Sequence, residues 1–185
     1  TNPCVNSYKR LLAGGEAPIY LSWARANRST LVRVPGYRPN REMACRLELR
    51  SPDPSANPYL TFAVMLAAGL AGIEEGLEPP APIEDRDLFT QPRQELLRQG
   101  FRTLPESLGQ AVELFRGSKL MRETLGDHIC DYLVEAKQAE WDEYQSNVST
   151  WELDRYLAVL ERCAGCDVGR CVDNEENGHI HCGQP

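Results

Sequence analysis

The sequence predicts an α+β fold in which short strands come first and helices follow. Three observations carry that expectation. Residues 1–50 hold three runs that alternate or are β-branched, each bounded by Gly, Pro or Asn. After them, Asn57-Pro58 opens a long stretch of small and apolar residues without a strand-like period. Further on, two Ser-x-x-Gln/Glu patterns are capping boxes that mark helix starts.

The expected strands are Ile19–Trp23, Thr30–Val34 and Arg46–Leu49. Asn57 is an N-cap with Pro58 at the first helical position, where its missing N–H costs nothing. The helix it opens should run to about Glu75 and be buried, since Ala63, Ala67, Ala68 and Ala71 suit close packing against a sheet. Glu78 to Asp87 reads as a proline-rich acidic connector. Ser107 with Gln110 and Ser149 with Glu152 supply the two capping boxes. Between them, Ile129, Leu133, Ala136 and Trp141 follow helical spacing from Asp127 to about Gln145, and Trp141–Tyr144 reads as a packing pair.

Composition bounds the function classes. With 185 residues, 42% hydrophobic and 25% charged, the chain can bury a core as one domain or one and a half. Tyr59 to Ile73 is the longest apolar run; it is too short to span a bilayer and is interrupted by Gly69 and Gly72. There is no secretory signal, so a soluble cytoplasmic protein with no membrane partner is expected. Cys4, Cys45 and Cys130 are scattered and read as reduced small hydrophobes. Residues 1–50 carry nine Lys and Arg against three Asp and Glu, in a chain of net charge −7. A basic half can mean nucleic acid. No aromatic platform is interleaved with these arginines, so an anionic small molecule explains them more economically.

The segment Arg46 to Leu60, RLELRSPDPSANPYL, is the most informative. On a strand, Arg46, Glu48 and Arg50 share one face while Leu47 and Leu49 take the other. That row sets one carboxylate between two guanidinium groups. It suits a metal-bound anionic substrate, or alternatively a solvated ion-pair ladder on an edge strand.

The order of motifs around it is specific. NSYKRL, a glycine turn followed by EAP, the NRS and VRVP pair, and ELRSPDPSANPYL occur in succession. This succession resembles the later part of the glutamine synthetase catalytic domain, of the bacterial type I kind. The likeness continues more loosely through LPESLGQAVE, LGDHI, EAKQAEWDEY and WELDRYL to about Leu160. It divides the chain into residues 1–160, the carboxy-terminal part of that catalytic domain, and a tail, 161–185. The fold it implies is a set of antiparallel strands of an incomplete catalytic barrel, followed by a helical region.

The resemblance also implies roles. Arg10 and Arg50 match arginines that bind the substrate glutamate, and a planar guanidinium suits a carboxylate because it bonds both oxygens at once. Glu48 matches a ligand of one of two active-site Mg2+ (or Mn2+) ions, hard cations that prefer oxygen. Arg28 matches an arginine beside the transferring phosphoryl group; Arg33 and Arg46 match contacts to the nucleotide. Glu16 matches a flap carboxylate that takes a proton from ammonium. Here Ala13-Gly14-Gly15 replaces the family's usual proline-glycine-aromatic turn before it. Arg38 and Arg41 lie where the family uses a lysine, and neither is assigned. His128 lies too far along to serve as the family's metal-binding histidine.

The implied activity is ATP-dependent ligation of ammonia to L-glutamate through γ-glutamyl phosphate, giving glutamine, ADP and phosphate. Alternatives are a γ-glutamyl ligase for a larger amine such as putrescine, or a non-catalytic structural or regulatory paralogue. The family's earlier catalytic half has no counterpart here, so the chain reads as a fragment or truncated paralogue that is inactive by itself. A homo-oligomer with active sites between subunits is also implied. DLFTQP, Asp87 to Pro92, matches the loop that some type I enzymes adenylylate on tyrosine, and places Phe89 there.

The tail differs. Cys163-x-x-Cys166, Cys171, His179, His181 and Cys182 are ligand types suited to a small Zn2+ site, with Cys163, Cys166, Cys171 and Cys182 the candidate set. A disordered or cloning-derived tail is the alternative.

Overall fold

The computed structural model describes residues 1–13, 15, 17–36, 40, 45–164, 171–172 and 181–182. It divides into two compact units, Thr1–Tyr144 and Gln145–Pro185.

The first unit opens with a short helix α1 (Val5–Arg10), followed by strands β1 (Trp23–Ala24), β2 (Val32–Arg33) and β3 (Glu48–Leu49). The strands form one small sheet in the order β1-β2-β3. β2 and β3 are antiparallel, with Val32 opposite Leu49 and Arg33 opposite Glu48. β1, however, runs parallel to β2, which corrects the expectation of antiparallel strands throughout. The reason lies in the intervening loop. Asn27 Oδ1 accepts from Ser29 N at 2.9 Å and from Ser29 Oγ at 2.8 Å, a side-chain-closed turn that brings the chain back in the same direction. Val32 N then donates to Ser22 O at 3.0 Å and Val34 N to Ala24 O at 2.8 Å. The expected strand Ile19–Trp23 is mostly a lone pairing instead: Leu21 N donates to Arg102 O and Leu104 N to Ile19 O, each at 2.8 Å.

Helices complete this unit: α2 (Pro58–Glu74), α3 (Arg93–Arg98), α4 (Leu108–Arg116), α5 (Lys119–Leu125) and α6 (Asp127–Ser146), whose last two residues fall in the second unit. The core gathers Tyr8, Leu11, Ile19 and Tyr20 with Leu88, Leu96, Leu108 and Val112. Trp141 packs at its margin and stacks on Tyr144 at 5.8 Å between ring centroids. A Cβ at Gly109 would stand 2.5 Å from Trp141 Nε1, so the Trp141 ring lies against α4 where a side chain would clash. His128 is exposed in the first turn of α6.

α2 begins where expected, with Asn57 Oδ1 accepting from Tyr59 N at 3.0 Å and Leu60 N at 3.3 Å. Its burial is not as expected. Phe62 is 68% exposed, Leu66 65% and Ile73 77%, and Thr61 is its buried residue. Three two-residue strands offer too little surface to cover a helix of 17 residues, and α2 packs along α5 instead. Among the described residues, no helix is long and apolar enough to cross a membrane.

In the second unit, α7 (Thr150–Ala164) is followed by β4 (Cys171–Val172) and β5 (His181–Cys182). Ser149 Oγ accepts from Glu152 N at 3.3 Å, and Glu152 Oε2 accepts from Ser149 N at 2.7 Å, which closes the capping box that starts α7. Ser107 accepts from Gln110 N at 3.2 Å, but Gln110 reaches back to Glu106 N instead of Ser107 N.

Candidate active site

The β2–β3 register decides the centre of the site. Arg33 and Glu48 are Cα partners across the antiparallel pair, so their side chains leave the sheet on the same face. Arg33 Nε stands 3.0 Å from Glu48 Oε2, and Arg33 Nη2 donates to Oε1 at 3.3 Å. Arg46 Nε also donates to Oε1, at 2.9 Å. One carboxylate is thus held between two guanidinium groups. The row expected along β3 paired Glu48 with Arg46 and Arg50; the second partner is Arg33, delivered by the neighbouring strand.

Arg50 plays a different part. Its backbone N donates to Leu31 O at 3.0 Å, which fixes the end of β3 against β2. Its Nη1 is buried and makes no hydrogen bond. Burial, and next the Arg33 charge, push its pKa down; Glu48 partly offsets them and Arg28 adds to them. A guanidinium stays protonated in a protein. That direction therefore marks a cation disfavoured by burial and by its guanidinium neighbours, with Glu48 as a partial counter-charge. Such a group attracts an anion.

Arg28 is exposed at the tip of the loop between β1 and β2. That loop is clasped from the far connector. Asn27 Nδ2 donates to Ile83 O at 2.8 Å and to Arg86 O at 2.7 Å. Glu84 accepts from Arg25 N at 2.7 Å, and Ser29 Oγ accepts from Leu88 N at 2.9 Å. These positioning residues were not singled out from the sequence, where residues 78–87 read as a mere connector. The Asn27-x-Ser29 turn signal was present, but its partners lie more than fifty residues away.

Arg10, at the end of α1, holds the segment just past β3. Its Nη2 donates to Ser51 O, to Pro52 O at 3.3 Å and to Asn2 Oδ1 at 3.4 Å. Its Nε is buried without a hydrogen bond. Arg10 Nε and Arg50 Nη1, like Arg33 Nε, each therefore keep a buried N–H without a hydrogen bond. An unmet buried donor costs about 1–3 kcal/mol, a debt that a bound carboxylate or phosphate would cancel.

Glu16 and its neighbour Gly14 lie outside the described residues, as do Arg38, Arg41, Cys166 and His179. Cys163 is in the last turn of α7; Cys171 and Cys182 are in β4 and β5. Cys4, Cys45 and Cys130 are free. Among the described residues, no group of three or more His, Cys, Asp or Glu is placed to hold a metal ion. Glu48 fits such an ion as one carboxylate ligand, since Mg2+ takes one or two carboxylates together with substrate phosphates and water. A cation bound there would compete with the Arg33 and Arg46 ion pairs.

A family model described as the catalytic domain of glutamine synthetase matches residues 1–156. The glutamine synthetase of Methanosarcina mazei is 48% identical over 160 residues, and that of Mycolicibacterium smegmatis 50% over 159; each alignment takes in 86% of this chain and 35% of the relative. The chain thus spans about a third of the length of the curated relatives it matches. Among solved structures, a GmaS–ADP complex superposes with a TM-score of 0.71 at 36% identity, over 85% of this chain and 35% of that one. Plasmodium falciparum glutamine synthetase, seen by cryo-electron microscopy, shares the fold at a TM-score of 0.67 and 19% identity, over 84% of this chain and 37% of that one. By its motifs, its fold and these likenesses, the chain belongs to the glutamine synthetase family, of which it carries part of the catalytic domain.

Proposed function

We propose that this chain is the carboxy-terminal catalytic part of an ATP-dependent glutamate–ammonia ligase. The observation that carries this reading is the set of buried guanidinium N–H groups without a hydrogen bond, Arg10 Nε, Arg33 Nε and Arg50 Nη1, together with the Arg33–Glu48–Arg46 cluster. Arg33 and Arg46 pair with one carboxylate here and Arg50 lies within electrostatic reach of it, an excess of positive charge that suits a substrate with several negative charges.

In the reaction, a γ-carboxylate oxygen of glutamate attacks the γ-phosphorus of ATP, and ADP leaves. Ammonia nitrogen then attacks the activated carbonyl carbon, and phosphate departs with the oxygen it acquired. Arg10 and Arg50 bind the carboxylates of glutamate. Arg28 lies where it can stabilise charge on the transferring phosphoryl oxygens, the usual protein contribution to this chemistry. Arg33 and Arg46 contact the nucleotide, and Glu48 would hold Mg2+ or Mn2+. The bound cation supplies charge neutralisation at the phosphates. Glu16 accepts the proton that ammonium must lose before it can attack.

The small sheet belongs to a barrel that the rest of the family fold completes, and the whole protein assembles into a homo-oligomer with active sites between subunits. ADP in the GmaS complex supports a nucleotide site in this fold. The test is to assay the complete gene product for glutamine formation from glutamate, ATP and ammonium, with putrescine and ethanolamine as competing amines. Ammonium-dependent glutamine is the expected product. Turnover with a larger amine alone would replace this reading with that of a different γ-glutamyl ligase.

A further inference from the structure

α1 has 6 residues, too few to hold its own place, so the contacts it makes decide where it lies. Its last residue is Arg10, whose Nη2 donates to Ser51 O and Pro52 O just past β3. Burial of Ser7, Tyr8 and Leu11 fixes which face of this segment turns inward. Apolar burial is non-directional, and sets the axial position of a helix less sharply than a hydrogen bond does. A slide by one residue would carry Arg10 about 1.5 Å along the axis.

α6 supplies such a bond. Glu140 Oε1 accepts from Val5 N, the first N–H of α1, at 3.1 Å. An N–H in the first turn has no acceptor within its own helix. The N-cap residue, Cys4, brings only sulfur, a weak acceptor. A carboxylate on a backbone N–H makes the stronger kind of hydrogen bond, and its charge suits the positive end of a helix. Lys137 Nζ donates to the other oxygen, Oε2, at 2.8 Å, which holds the Glu140 side chain in place. Further along α6, the Tyr144 ring lies beneath Lys9, with Nζ 5.6 Å from its centroid. α6 therefore meets α1 at Val5 and again at Lys9, the neighbour of Arg10.

We propose that Glu140 is a positioning residue of the glutamate site, which sets the place of Arg10 by anchoring the start of α1. The proposal rests on the reading of Arg10 as a residue that binds glutamate. Glu140 bonds to Val5 and Lys137, so its influence on glutamate passes through α1. A misplacement of about 1 Å in a substrate-positioning group is enough to weaken its action.

The experiment is steady-state kinetics of the complete enzyme with glutamate, ATP and ammonium, for the wild type, Glu140→Ala, Arg10→Lys and the double variant. Glu140→Ala should raise the KM for glutamate about tenfold, the scale of a lost hydrogen bond to a charged group, and leave the KM for ATP within about twofold. In the Arg10→Lys background the same change should have little further effect, because Arg10 is the group through which Glu140 acts. Glu140→Gln keeps an acceptor for Val5 N and should bring the glutamate KM to within about threefold of the wild type. Should Glu140→Ala fail to fold, Glu140→Asp, whose carboxylate is drawn back by a methylene, takes its place in the same cycle. If Arg10→Lys leaves the glutamate KM unchanged, the assignment of Arg10 is wrong and this proposal falls with it. If Arg10→Lys raises that KM, the reading of the site stands. The role of Glu140 alone is then overturned by a normal glutamate KM in Glu140→Ala, by an equal rise in the KM for ATP, by additive effects in the double variant, or by no rescue in Glu140→Gln.

Discussion

Arg33 grips both carboxylate oxygens of Glu48 from the opposite strand, with Nε 3.0 Å from Oε2 and Nη2 3.3 Å from Oε1. The pair is partly buried, with 23% and 29% of the two side chains exposed, so it is screened less than a surface ion pair. It holds Glu48 in a single orientation at the centre of the arginine cluster. In the proposed reaction this carboxylate would exchange guanidinium for a divalent cation.

That exchange separates two carboxylates by role. In the complete enzyme, Glu48→Ala should abolish both ADP formation and glutamine formation, because the metal serves the first step. Glu16→Ala should leave phosphorylation in place and lower glutamine formation by roughly a hundredfold or more, the scale of a lost general base. Hydrolysis of the acyl phosphate should rise relative to amide formation. Coupled measurement of ADP and glutamine tests both, and tight coupling at full rate in Glu16→Ala would remove the base assignment.

Arg50 offers a cleaner test of substrate binding. Lysine keeps the charge but not the planar fork. Arg50→Lys should raise the KM for glutamate by about tenfold to a hundredfold, the equivalent of the ~1.5–3 kcal/mol of a hydrogen bond to a charged group. The KM for ATP should change less. Unaltered glutamate kinetics would show that the unsatisfied Nη1 does not face the substrate.

Asn27 holds the Arg28 loop through bonds to Ser29, Ile83 and Arg86. Removing the amide leaves the part-buried Ser29 N and Ile83 O without this partner, at a cost of about 1–3 kcal/mol. Asn27→Ala should therefore lower the unfolding midpoint and reduce kcat more than it changes the KM for glutamate. A fall in stability with kcat intact would make Asn27 a fold residue with no part in placing Arg28.

Phe89 has no hydroxyl to accept AMP, so the enzyme should escape control by adenylylation at that position. Its neighbour Thr90 is exposed and donates to Asp87 O at 3.1 Å. Mass spectrometry of peptides spanning residues 87–92, after treatment with an adenylylating enzyme and ATP, should find them unmodified. AMP on Thr90 would show that the loop is used through a different acceptor.

Parts of this were legible in the sequence because their causes are local. The Asn57-Pro58 start of α2 depends on one side chain and its next three residues, and it appears as expected. Alternation along RLELR forecast a carboxylate between two guanidinium groups. It could not name Arg33 as the second of them, since that depends on a register set by a strand fifteen residues earlier. The parallel direction of β1 was hidden for a similar reason. It is imposed by the Asn27 turn and by its clasp to residues 83–88, a contact that no local window contains. The exposure of α2 shows the same limit: composition forecasts a helix that wants burial, not what is present to bury it.

The central claim is that glutamate is activated by transfer of a phosphoryl group to its side chain. Isotope tracing tests this directly. Glutamate labelled with heavy oxygen in its γ-carboxylate is incubated with the complete enzyme, ATP and ammonium, and the released inorganic phosphate is analysed by mass. If γ-glutamyl phosphate forms, each phosphate leaves carrying one oxygen from the carboxylate, matched to each glutamine made. Glutamine formed while the phosphate carries no label would contradict the account, because the phosphoryl group would never have been bonded to glutamate.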